Sequence, residues 1–214
     1  MRLHQDGPVL ALAPHTDDAE LGAGGTLARL VEEGAEVHVS AFSTARASLP
    51  PGSDPDQLRN EFLRAMDLLD IPVDQVHVFD YPVRKLSYSR QEVLEHLVIL
   101  RKEVAPALIL TPASTDLHQD HEVLFKEAMR AFKDRTVLGY ELPWNHVDFS
   151  AQAFVSLAER HVDKKLTMLR EYQSQLEKGR PYFSDDFIRG LARVRGVQVG
   201  SPYAEAFEVL RVNV

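Results

Sequence analysis

The stretch Pro8-Val9-Leu10-Ala11-Leu12-Ala13-Pro14-His15-Thr16-Asp17-Asp18-Ala19-Glu20-Leu21-Gly22 passes from an apolar run directly into a histidine and two adjacent carboxylates. The run reads as a buried strand, so His15, Asp17 and Asp18 leave its carboxyl end together. Neighbouring carboxylates repel each other and resist desolvation. A fold tolerates them cheaply only where a cation or solvent meets them. A second group, His118-Gln119-Asp120-His121, follows another apolar run near the middle of the chain. Two His/Asp groups on two loops suggest a divalent metal site.

Outward from that stretch, apolar runs alternate with helical patterns. Residues 37–42, 76–79, 107–110 and 137–140 read as four further strands. Leu27, Leu30 and Val31 share a helical face that Gly34 ends. Leu58, Phe62, Ala65 and Leu69 form the stripe of a helix entered through an Asp54 cap and Pro55. Residues 89–104 and 119–132 are also helical. This alternation predicts parallel βαβ units, and so an α/β fold with a doubly wound, mostly parallel sheet and helices on both faces. The last third differs, with helices over 163–176 and 185–195 and an alternating strand over 206–212. It reads as a C-terminal helical and strand cap. The expected organisation is one domain over 1–214, with a core over 1–142 and the cap and closing strand over 143–214.

In doubly wound sheets the ligand site lies beyond the carboxyl ends of the strands, where the strand order reverses. With a strand order of 3-2-1-4-5, strands one and four are neighbours at that point. Topology would then bring His15, Asp17 and Asp18 to His118 and His121. Two histidines and a carboxylate with an open position form the ligand set of a hydrolytic zinc centre, and the same donors accept Fe²⁺, Mn²⁺ or Co²⁺.

Bulk composition narrows the class. The 214 residues are 44% hydrophobic and 26% charged, enough to bury a full core. A net charge of −8 argues against nucleic acid, which calls for a basic face. With no cysteine, thiolate nucleophiles, Cys-type zinc sites and iron–sulfur clusters are excluded. No run approaches the roughly 20 apolar residues of a membrane span. The first residues, Met1 to Asp6, carry no apolar leader. A soluble cytoplasmic protein acting on a small molecule is expected, and a homo-oligomer is compatible with the sequence.

The residues from Pro14 to Leu27, with His118-Gln119-Asp120-His121 and the ending Tyr203-Ala204-Glu205-Ala206-Phe207, resemble the PIG-L/LmbE-like family of metal-dependent N-deacetylases. The resemblance implies a Rossmann-like fold, zinc, and removal of the N-acetyl group from an N-acetylglucosaminyl compound. It implies that His15, Asp18 and His121 are the metal ligands and Asp17 the general base. His118 would polarise the tetrahedral intermediate, and Asp120 would orient a neighbouring imidazole. Thr16 and Gln119 stand where the family usually has proline, and Ala19 where many members have glutamate. These departures bear on loop rigidity and subgroup, since none is a ligand position. A metallohydrolase acting on another amide or an ester, or a non-catalytic sugar-binding protein of the same fold, are the alternatives.

Blander roles compete for several of these residues. Asp17 and Asp18 would also suit capping of the helix that follows. His118 would suit a cap at Gln119. An aspartate facing His118 would keep it cationic. Gly22-Ala23-Gly24-Gly25 lacks the third glycine of a dinucleotide fingerprint and reads as close helix packing on the sheet. His38 and His77 read as satisfied sheet residues, and His4, His96 and His161 as solvated. Arg46 and Arg59, in and just after the second long loop, are candidates to hold a substrate hydroxyl, carboxylate or phosphate. Trp144 could wall a sugar or seal the core.

Overall fold

The computed structural model describes residues 7–213. His4 and the hexapeptide read for a leader lie outside them. Along the chain run β1 (Val9–His15), α1 (Asp18–Glu32), β2 (Val37–Ser43), α2 (Gln57–Leu68), β3 (Val76–Val78), α3 (Arg90–Val104), β4 (Leu108–Pro112) and α4 (Gln119–Ala131). These are followed by β5 (Thr136–Tyr140), β6 (Ala153–Leu157), α5 (Glu159–Leu169), the short α6 (Gln173–Leu176), α7 (Asp185–Gln198) and β7 (Tyr203–Arg211). All seven strands form one sheet in the order β3-β2-β1-β4-β5-β7-β6. The first five are parallel, and β7 runs antiparallel to both β5 and β6. The expected order 3-2-1-4-5 is present, extended by an antiparallel edge.

Strand β1 shows why an unbroken apolar run was needed. Alternate residues face opposite sides of a sheet, and both sides here are covered. Val9, Ala11 and Ala13 join the layer of α1, α2, α5 and α7, while Leu10 and Leu12 meet α3 and α4. The glycines of α1 serve close packing. A Cβ on Gly22 would fall 2.3 Å from the Tyr140 ring of β5, and one on Gly25 would fall 2.5 Å from Leu157 of β6.

Four details depart from the sequence reading. The edge strand β6 is additional. The helix expected over 163–176 is two, α5 and α6, because the chain turns at 170–172 to bury Tyr172, whose hydroxyl bonds to the Thr16 carbonyl and to Glu20. Helix α2 starts at Gln57, because the Asp54 carboxylate accepts from Asp56 N at 2.9 Å and makes a turn before the helix rather than its cap. His96 and His161 are not free in solvent. His96 Nδ1 meets the Tyr81 hydroxyl at 2.7 Å, and buried His161 bonds Glu32 at 2.9 Å. His38 is satisfied as expected, between Glu36 at 3.0 Å and His77 at 3.3 Å.

Candidate active site

His15 is the last residue of β1, and Asp18 the first of α1, so a two-residue turn separates them. At the neighbouring strand β4 the chain passes through a turn built by buried Asp116, whose Oδ1 accepts His118 N at 2.9 Å, and then enters α4. His118 and His121, three apart at the start of that helix, share a face. The two helix starts converge at the reversal of strand order.

Three donor atoms meet there in a near-equilateral triangle. Asp18 Oδ2 lies 3.0 Å from His15 Nδ1 and 3.2 Å from His121 Nε2, and the two ring nitrogens are 3.4 Å apart. A tetrahedral zinc with bonds of about 2.0–2.2 Å spaces its ligands at roughly 3.3–3.5 Å. The other ring nitrogens are committed. His15 Nε2 donates to Asp120 Oδ2 at 2.9 Å, and His121 Nδ1 donates to Asp116 Oδ2 at 2.7 Å. Such carboxylate–histidine pairs fix the tautomer and leave a lone pair on the nitrogen facing the metal. The chemistry and spacing of the set therefore fit a divalent cation held by His15, Asp18 and His121. A His15, His118 and His121 set is wider, with ligand atoms within 4.8 Å of one another.

The charges of the cluster follow from this pairing. Burial opposes the charged form of His15, but Asp18 and Asp120 outweigh it and push the imidazole up to about 9. Burial likewise opposes charge on His121, which Asp18 and Asp116 push up to about 10. Burial alone would raise Asp18, yet His121 and His15 hold it well below the usual carboxylate range. The site thus concentrates positive charge between carboxylates, where a divalent ion can replace two protons.

Asp17 stands apart from the triangle. It occupies the N-cap position of α1 but makes no side-chain capping bond. It lines the cleft instead. Burial and the charge of Asp18 push its carboxyl up to about 6. His118 does cap α4, its Nδ1 accepting Asp120 N at 3.2 Å. Burial and the charges of His121 and His15 push it down to about 4. The expectation of a cationic His118 facing an aspartate is therefore corrected. Asp120 turns to His15 and to the backbone N–H groups of Arg84 and Leu86, at 2.5 and 3.1 Å. With Nδ1 accepting from Asp120 N, the neutral form of His118 carries its hydrogen on Nε2.

The triangle opens into a cleft of about 280 Å³. Arg46 and Arg59 do not line it. Arg46 is half-exposed and paired with Asp80, and Arg59 is exposed on α2. Trp144 does line it, stacked on Tyr182 at 4.0 Å and 13° and still 36% exposed, so it does not seal the core. Sequence reasoning missed Asp116, Arg84, Lys178 and Arg180. An acid in the turn two residues before His118 was a usable signal for Asp116. Nothing local marked the three basic residues.

A doubly wound sheet with a His, His and Asp triangle at its reversal point defines the class. The chain belongs to the PIG-L family, whose model, described as GlcNAc-PI de-N-acetylase, matches residues 10–132. Two relatives are the "uncharacterized deacetylase YaiS" of Escherichia coli K12 and a diacetylchitobiose deacetylase of Thermococcus kodakarensis. The first is 28% identical over 173 residues, covering 78% of this chain and 90% of its own. The second is 24% identical over 219 residues, covering 92% and 80%. Among solved structures, the conserved protein TT1542 of Thermus thermophilus matches with a TM-score of 0.81 at 23% identity, covering 97% of this chain and 96% of that one. GalB of Pseudomonas putida KT2440, a 4-carboxy-2-hydroxymuconate hydratase, matches with 0.78 at 22%, covering 97% and 98%. At such identities these structures speak for the fold. Among the described residues, no helix is long and apolar enough to cross a membrane.

Proposed function

We propose that this protein is a zinc-dependent N-deacetylase that removes the acetyl group from an N-acetylglucosaminyl-type sugar or conjugate. The observation that carries the reading is the metal-spaced triangle of His15, Asp18 and His121, with Asp17, a carboxylate that makes no capping bond, lining the same cleft. A binding protein needs no such base. Family membership and relatives named deacetylases support the same reaction. The hydratase of similar fold is the reason to test the reaction rather than infer it from the fold.

An amide is a poor electrophile, so its hydrolysis needs an activated water and a place for negative charge to develop. A divalent cation held by the triangle supplies Lewis acidity and makes water a nucleophile at neutral pH. Asp17 accepts the proton of the attacking water. Pushed up to about 6, it is near enough to neutrality to return that proton to the departing nitrogen. His118 donates its Nε2 hydrogen to the developing oxyanion as a neutral imidazole, its other nitrogen being held by the Asp120 N–H. Asp120 and Asp116 hold His15 and His121 in the tautomers that face the ion.

The test is acetate release from a panel of N-acetylglucosamine conjugates, with and without chelator. Metal-dependent release from at least one supports the proposal. A fully metal-loaded protein that releases acetate from none of them refutes it.

A further inference from the structure

We propose that the buried ion pair of Lys165 and Glu205, neither of which lines the cleft, is wedged into α1 and sets the place of its first turn. Both are then positioning residues for Asp17 and Asp18. The inference rests on the reading of His15, Asp18 and His121 as a metal centre and adds what holds one of its ligands.

Lys165 belongs to α5 and Glu205 to β7, and both are buried. Their charged ends meet at 2.7 Å. Each also takes backbone groups from the middle of α1. Lys165 Nζ donates to Leu21 O at 2.7 Å, while Glu205 accepts Gly25 N at 3.0 Å and Thr26 N at 2.6 Å, one on each oxygen. In a regular α-helix Gly25 N bonds Leu21 O, and Thr26 N bonds Gly22 O. A side chain inserted into that ladder is one of the identifiable causes of a helix bend. The bond just before the insertion is intact, Leu21 N donating to Asp17 O at 3.0 Å. The helix runs on to Glu32, so the pair is inserted in it rather than ending it. It stands between a first turn that carries Asp17, Asp18 and Leu21 into the cleft and a stem packed on the sheet.

The charges match the groups they meet. The carbonyl end of a helical segment favours a cation and the N–H end an anion. Lys165 sits on the first at Leu21, and Glu205 on the second at Gly25 and Thr26. The close approach is written into the sequence as well. A Cβ on Gly24 would fall 2.9 Å from Lys165 Cγ, and one on Gly25 would fall 3.2 Å from Glu205 Oε1. The first turn is also held at its other end, where the Tyr172 hydroxyl bonds Thr16 O and Glu20. With Thr16 O and Leu21 O both fixed, the turn between them keeps Asp18 Oδ2 at 3.0 Å from His15 Nδ1 and 3.2 Å from His121 Nε2. Site geometry of this kind has to be held to within about 0.5 Å. A buried ion pair often adds little stability over apolar residues of the same volume. What this pair does that methionine and leucine cannot is keep the ladder open at Leu21.

The test replaces the pair by apolar residues, Lys165→Met/Glu205→Leu, which leaves no unpaired charge and lets Gly25 N return to Leu21 O. Crystal structures of the metal-free wild type and variant should show that bond closed only in the variant, with Asp18 Oδ2 moved off His15 and His121. Zn²⁺ affinity of the folded variant, read by competition with a chelator, should fall about tenfold or more, the scale of a ligand that loses its support. In the acetate assay kcat should fall with KM little changed. The control is Leu97→Ala, in the α3 core on the opposite face of the sheet from α1. It should lower the denaturant midpoint and leave Zn²⁺ affinity unchanged. If the double variant does not fold, Glu205→Gln, which keeps the volume and one acceptor, is read for the same displacement and the same loss of affinity. A folded variant in which Asp18 keeps its place, or one that binds Zn²⁺ as tightly as the wild type, would overturn the proposal. Wild-type protein that binds no Zn²⁺ would count against the metal reading alone, because the displacement of Asp18 is read without metal.

Discussion

Asp120→Asn tests whether the carboxylate behind His15 holds the metal site together. Asp120 is fully buried, and its two oxygens accept three N–H donors, from His15 Nε2 at 2.9 Å, Arg84 at 2.5 Å and Leu86 at 3.1 Å. An amide has one oxygen. Its better orientation keeps that oxygen on His15 and Arg84 and points the NH₂ group at the Leu86 N–H. One buried donor then faces another, at a cost of about 1–3 kcal/mol, and two charge-assisted bonds become neutral, at about 1 kcal/mol more. The expected loss of stability is roughly 2–4 kcal/mol, measured as a denaturant midpoint on metal-free protein. Metal affinity should fall about 10- to 100-fold, the usual cost of removing such a partner, measured by competition with a chelator. Unchanged affinity together with unchanged stability would refute the reasoning.

Asp17→Asn keeps the shape of the base but cannot take a proton, so metal should be retained while turnover falls at least about 10²-fold in a steady-state acetate assay. Metal loss in that variant would make Asp17 a ligand. His118→Ala should lower kcat and kcat/KM together with KM and metal content little changed, and should cost about 1 kcal/mol of stability as a lost cap. Burial and the charges of His121 and His15 push His118 down to about 4, so the imidazole is expected to act in its neutral form. An alkaline limb of the pH profile that vanishes in the variant would contradict this role. Metal binding must displace protons from His15 and His121, pushed up to about 9 and 10 in the free site. Chelator competition at several pH values should therefore show affinity rising with pH below about 9, by up to about a hundredfold per unit. A pH-independent affinity over that range would argue for different ligands.

The strand order and the meeting of the two His/Asp groups were legible because both follow from local signals plus one topological rule. An apolar run and the residues at its carboxyl end are adjacent in sequence, and strands β1 and β4 flank the reversal point. The pairing of carboxylates with imidazoles was only half legible. Asp120 was visible inside the second group, but which ring it faces depends on how α4 lies against the backbone of Arg84 and Leu86. Lys178 and Arg180 reach the cleft from a segment some 160 residues from His15, placed by the buried anchors Tyr172 and Glu61. No periodicity encodes that docking. Strand β6 was missed because it pairs with β7 alone at the sheet edge and is only partly buried, so its apolar pattern is weak. Arg46 drew attention as a loop arginine near the strand ends, but Asp80 satisfies it on the surface.

The central claim is that His15, Asp18 and His121 hold one divalent metal. Elemental analysis of the purified protein beside His121→Ala tests it most directly. The account predicts about one metal per chain in the wild type and a sharp loss in the variant, because two remaining ligands bind weakly. Full metal content in His121→Ala would contradict it.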